Sequence, residues 1–157
     1  MDRLGHVLVR SDLNAPIEDS ITDDYRLERS AEIIPLIKDN SKSITFLTHL
    51  GRPTSYDPKF STKHLLGALE EFTKTNINHI DSVYGKKVEN RINGSKEFSI
   101  NLLENVRFYK GEISNSSGFA KKVTSPFDTY IFDAFGASHR NHASVTKMGG
   151  YLQAFQG

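Results

Sequence analysis

The 157-residue chain has no cysteine. That excludes disulfides, thiolate chemistry and zinc sites built on Cys, and it suits a reducing compartment. Long hydrophobic runs are also lacking. None approaches the ~18–20 apolar residues that a membrane-spanning helix needs, and the opening "MDRLGHVLVR" lacks the apolar segment of a secretory signal. A cytoplasmic location is expected, and the sequons at Asn93 and Asn115 then count as chance. Neither sign of charge is in excess. Twenty Lys and Arg against 19 Asp and Glu leave a formal net charge of +1, whereas a dedicated nucleic-acid binder carries a basic surplus. Three familiar motifs are missing as well: G-x-x-x-x-G-K-[ST], G-x-G-x-x-G and G-x-S-x-G. Neither a triphosphate cradle nor a serine nucleophile elbow is therefore expected.

What is present is the material of one core. Hydrophobic residues make up 37% of the chain and charged residues 25%, a balance that argues against disorder. Four short apolar runs stand out: "HVLVR" (6–10), "SITFLTHL" (43–50), "FSINLLEN" (98–105) and "DTYIFDAF" (128–135). The first two are apolar on successive residues, the pattern of strands covered on both faces. A fifth strand is expected near "NHIDSV" (78–83). Between the runs lie helical patterns. Residues 23–40 place Leu27, Ala31 and Ile34 on one face, with Thr22 or Asp23 available as cap and Pro35 set to kink or shorten the helix. Residues 61–74 place Leu65, Leu69 and Phe72 behind a Ser61 or Thr62 cap, and "SSGFAKKVT" (116–124) is a weaker third helix. The polar stretch 84–97 reads as a helix-plus-loop excursion on the surface. Strands alternating with helices predict an α/β fold of three αβα layers around a mostly parallel, Rossmann-like sheet, in a single domain over residues 1–157.

In open α/β sheets ligands bind beyond the carboxyl ends of the strands. The residues there are Arg10 to Pro16, His49 to Pro53, Glu104 to Phe108, and Asp133 to His142. Each group holds an arginine: Arg10, Arg52, Arg107 and Arg140 are four of the chain's eight. Arg26, at the start of the first helix, is a fifth candidate. A guanidinium fork matches carboxylate or phosphate, so several at one edge predict a small anionic pocket. Asp12 and Asn14 also suit a simple turn before Pro16. His139 and His142 offer two metal ligands and no evident third.

Five motifs together resemble the N-terminal domain of phosphoglycerate kinase: "VLVRSDLNAP" (7–16), "ITDDYR" (21–26), "HLGRP" (49–53), "LLENVRFYKGE" (102–112) and "DAFGASHRNHAS" (133–144). They follow the family's order and cover most of the chain. The resemblance implies the 3-phosphoglycerate half of a two-domain kinase that transfers a phosphoryl group between 1,3-bisphosphoglycerate and ADP. It implies that Asp12 and Asn14 position the hydroxyl and carboxyl end of the substrate. His49, Leu50, Gly51, Arg52, Arg107 and Arg140 would bind the phosphate or frame its pocket. Arg26 would face the transferring phosphoryl group as the catalytic residue, and Arg10 and His139 would support the patch. Mg-ADP or Mg-ATP would sit on a second, C-terminal domain that is not in these residues, so no cofactor and no metal are expected on this chain. Neither a nucleic acid nor a membrane is an expected partner.

Ser11, Leu13 and Ala15 stand where the family has larger apolar residues, and Phe132 replaces an asparagine. By the same resemblance a connecting helix would begin near "GGYLQAFQG". The alternative reading is a stand-alone, non-catalytic module that binds a phosphorylated acid.

Overall fold

The computed structural model describes residues 3–14 and 25–157. Ala15, Pro16, and the cap candidates Thr22 and Asp23 lie outside the described residues. Among the described residues six strands form one sheet: β1 (Gly5–Ser11), β2 (Ser41–Leu47), β3 (Asn78–Ile80), β4 (Ser99–Leu103), β5 (Thr129–Asp133) and β6 (Gln153–Gln156). Their order is β3-β4-β2-β1-β5-β6, and every ladder is parallel. The four strands whose ends carry the arginines are therefore the four contiguous central strands. Register aligns them closely, with Arg10 opposite Leu47 on one side and Phe132 on the other.

The helices are α1 (Tyr25–Ala31), α2 (Ile33–Ile37), α3 (Leu66–Thr73), α4 (Lys86–Gly94), α5 (Lys110–Ile113), α6 (Ser117–Thr124) and α7 (Ala143–Thr146). The expected first helix is split at Glu32 between α1 and α2. Pro35 accounts for this: it has no N–H for the Ala31 carbonyl four residues back, and its ring crowds that carbonyl. Ser61 and Ser116 act as caps, accepting from the backbone N–H of Lys63 and Phe119.

Two apolar layers sandwich the sheet because successive strand residues face opposite ways. Val7, Val9, Ile44, Phe46, Ile100 and Leu102 pack with Leu27, Ile34 and Leu69 of α1, α2 and α3. On the other face Leu8, Leu103 and Tyr130 pack with Ile92 of α4, Phe119 of α6 and Ala143 of α7. This is the three-layer α/β fold, and its sheet is parallel throughout.

Two expectations change. The helix expected within 84–97 is present as α4, but it is packed rather than confined to the surface, because it buries Val88 and Ile92 against the second face. The segment expected to begin a connecting helix forms β6 instead, pairing in parallel with β5. All four residues of β6 are exposed, and a Gln-Ala-Phe-Gln edge strand has too little apolar pattern to announce itself.

Candidate functional site

At the ends of the central strands the chain turns sharply, and buried polar side chains hold the turns. Thr48, just past β2, links three of them. Its Oγ accepts from the Leu13 N–H at 3.1 Å, and its carbonyl accepts from the Val106 N–H at 3.1 Å. Asn105, just past β4, donates from Nδ2 to the carbonyls of Leu50 at 2.7 Å and Phe60 at 2.9 Å. Asn14 Oδ1 accepts from the Gly51 N–H at 2.9 Å. Gly51 has φ +63°, and a Cβ there would lie 2.4 Å from the Phe60 ring. So Gly51 is required by the turn and by Phe60 packed over it.

Arg10 is 1% exposed and lies inside the sheet rather than at its rim. Its Nε donates to Ser144 Oγ at 2.9 Å, one terminal nitrogen donates to the Ser11 carbonyl at 2.6 Å, and the other donates to His49 Nδ1 at 2.8 Å. A guanidinium can only donate, so His49 Nδ1 is bare and the ring proton sits on Nε2. Burial pushes the His49 pKa down to about 2, with the charges of Arg10, Arg107 and Arg140 adding to the shift. His49 is thus a neutral N–H donor at ordinary pH.

Arg107 is 4% exposed. One terminal nitrogen donates to the Gly51 carbonyl at 2.9 Å. Its Nε and other terminal nitrogen are buried and have no hydrogen-bond partner among the described residues. Burial first, then the neighbouring charges of Arg140 and Arg10, push its pKa down to about 10. Arg52 acts on Arg107 as well. Arg10, His49, Arg107 and Arg140 therefore form one electrostatic cluster, with Arg52 exposed at its edge.

The other candidates sit differently. Arg26 donates to Asp12 Oδ1 at 2.8 Å and to the Asn14 carbonyl at 3.4 Å, a partly exposed ion pair beside the cluster. His139 is exposed. His142, like His49, feels the arginines: burial lowers its pKa first, Glu112 opposes the shift, and Arg107, Arg140 and Arg10 add to it. Among the described residues no three His, Asp or Glu side chains group as a metal site.

Sequence reasoning assigned no role to Thr48, Asn105, Glu112, His142 or Ser144. Asn105, Glu112, His142 and Ser144 stand inside the quoted motifs, where His142, with His139, offers a metal ligand with no evident third. A separate open cavity of about 910 Å³ lies past β3 and β4, lined by Lys63, His79, Asp81, Arg91 and Glu104. It contains none of the clustered arginines. Its Glu104 is already satisfied by Ser61 Oγ and by the N–H groups of Thr62 and Asn105.

Chemically, the cluster is a set of fixed cationic and N–H donors with a deficit of acceptors, the complement of a small polyanion. The chain is 41% identical over 149 residues to "Phosphoglycerate kinase 1, chloroplastic" of Arabidopsis thaliana, covering 94% of this chain and 31% of that protein. It is 40% identical to "Phosphoglycerate kinase, cytosolic" of Triticum aestivum, covering 94% and 37%. The solved phosphoglycerate kinase of Coxiella burnetii superposes with a TM-score of 0.84 at 27% identity, over 99% of this chain and 39% of that one. The chain spans about a third of the length of these relatives. A family model described as "PGK: Phosphoglycerate kinase" matches residues 3–157, and the chain belongs to the phosphoglycerate kinase family.

Proposed function

We propose that this chain binds 3-phosphoglycerate on its arginine cluster and serves, as a single α/β domain, as the acid-binding half of a phosphoglycerate kinase. The observation that carries this is Arg107. Two of its guanidinium nitrogens are buried without partners, among other positive charges. Buried donors left unmade are costly, and like charges add to the cost. A phosphate between Arg107, Arg140, Arg52 and the Nε2–H of His49 removes both penalties together. Each charge-assisted hydrogen bond contributes roughly 1.5–3 kcal/mol.

Asp12 and Asn14 would orient the hydroxyl and carboxyl end of the acid, since Asp12 already accepts from Arg26 and Asn14 from the Gly51 N–H. Arg26, held by Asp12, would stabilise charge on the phosphoryl group in transit. Phosphoryl transfer between a carboxylate and ADP needs positioning and charge stabilisation more than a general base. A neutral histidine and fixed guanidinium groups suit that division of labour.

The enzymes of this family use Mg-nucleotide. The cluster on this chain consists of cationic and N–H donors, which repel a divalent ion, so magnesium and nucleotide are assigned to the remainder of the enzyme. Among the described residues no helix is long and apolar enough to cross a membrane, and the cytoplasm is the proposed compartment.

Titration calorimetry on the chain tests the reading. 3-Phosphoglycerate should bind weakly, and Mg-ATP should give no measurable heat. A coupled kinase assay should show turnover only when the rest of the enzyme is supplied. Tight ATP binding with turnover by the 157 residues alone would overturn it.

A further inference from the structure

We propose that Glu112, Ser144 and Arg10 form a positioning relay that holds His49 as an Nε2–H donor for the bound acid. None of the three touches the ligand in this scheme; they act through His49. The ligand part of the inference rests on the 3-phosphoglycerate reading above.

The direction of every bond in the relay follows from chemistry. The Ser144 backbone N–H donates to one Glu112 oxygen at 2.6 Å. Ser144 Oγ lies 2.9 Å from Arg10 Nε, which can only donate, so the serine must accept there. Its one proton is then free for the second Glu112 oxygen, 2.5 Å away. Both Glu112 oxygens therefore accept, the arrangement of a carboxylate. Arg10, fixed at Nε, gives a terminal N–H to His49 Nδ1. Tyr130 closes the set by donating from its hydroxyl to the Ser144 carbonyl. Glu112, Ser144 and Arg10 are each 0–1% exposed.

The relay also answers a problem of charge. Arg10 is buried with Arg107 and Arg140 acting on it or beside it, and Glu112 is the counter-charge that most favours its ionised form. Ser144 couples the two charges without direct contact. Only a charged, fixed Arg10 leaves His49 a single tautomer. The opposite tautomer would set two N–H groups against each other in a buried site and leave both donors without an acceptor.

The test is ¹⁵N NMR on the histidine-labelled chain, with His49→Gln to assign the ring. The wild-type His49 signal should show the proton on Nε2 and a bare Nδ1, unchanged between pH 5 and 8. Ser144→Ala and Glu112→Gln should mix the tautomers and weaken 3-phosphoglycerate binding about tenfold. Ser144→Thr keeps the hydroxyl and should keep the wild-type ring signal. An Nδ1–H or doubly protonated ring in the wild-type chain at pH 6 would overturn the relay, whether or not any variant folds. So would a folded Ser144→Ala variant with an unchanged ring. Wild-type chain that shows the Nε2–H ring but fails to bind 3-phosphoglycerate would sink the substrate reading alone.

Discussion

Asn105 Nδ2 donates to the Leu50 carbonyl at 2.7 Å, stitching the end of β4 to the loop that follows β2. The same amide nitrogen also serves the Phe60 carbonyl, and Asn105 Oδ1 accepts from the Arg107 N–H at 3.0 Å. One buried side chain thus sets the distance between the His49–Arg52 segment and Arg107. Asn105→Ala strands the Leu50 carbonyl in the interior, at roughly 1–3 kcal/mol for each buried group left unsatisfied. Urea unfolding should show that loss, with the affinity for 3-phosphoglycerate falling beyond detection. Full affinity in the variant would mean that the loop is held by something else.

How far the sequence could be read follows from this geometry. Strands β1, β2, β4 and β5 were legible because each is an apolar run covered on both faces. The arginines were legible because each follows such a run. The relation among them was not. Nothing in the sequence says that Arg10 turns inward to Ser144 and His49 while Arg107 keeps two nitrogens free. Ser144 and Glu112 are 32 positions apart and meet only when α5 and α7 pack. β6 escaped because an exposed four-residue edge strand has no periodicity to detect, and the packing of α4 escaped because its polar face outweighs Val88 and Ile92.

Gly51 and Phe60 form a coupled pair. Gly51→Ala places a side chain in the left-handed region, at about 1–2 kcal/mol, and drives its Cβ to 2.4 Å from the Phe60 ring. Phe60→Ala should relieve the clash and leave the backbone strain. A double-mutant cycle by thermal unfolding should then show the pair less destabilised than the sum of the single variants. Strict additivity would show that Phe60 moves aside without cost.

Arg107→Met separates stability from binding. The substitution removes two unpartnered buried donors and one charge facing Arg140 and Arg10. It also leaves the Gly51 carbonyl without its 2.9 Å partner. The repulsion and the unmade bonds outweigh that one bond, so the variant should melt no lower than the wild type. Its affinity for 3-phosphoglycerate should fall by the worth of one charge-assisted hydrogen bond or more, about 1.5–3 kcal/mol, or roughly 10- to 150-fold. A markedly lower melting temperature would show that Arg107 is primarily structural.

His49 makes the fold sensitive to acid. Its folded pKa of about 2 lies far below the ordinary value of 6.5, through burial and then the charges of Arg10, Arg107 and Arg140. Below pH 6.5 the unfolded chain therefore binds a proton that the folded chain refuses. Stability is at its full value above that pH and is lost as the pH falls from 6.5 towards 2. One such group gives a slope of about 1.4 kcal/mol per pH unit. His6, His79 and His142 are also shifted down, with burial as the first cause in each, and act in the same direction. The carboxylates contribute too, so the wild-type slope by itself does not isolate His49. His49→Asn does, because an amide oxygen can still accept from Arg10 but does not titrate. Between pH 6 and 4 the unfolding free energy of this variant should fall less steeply than that of the wild type, by up to about 1.4 kcal/mol per unit. Parallel slopes for the two proteins would show that His49 takes up its proton in the folded state, which the Arg10 bond forbids.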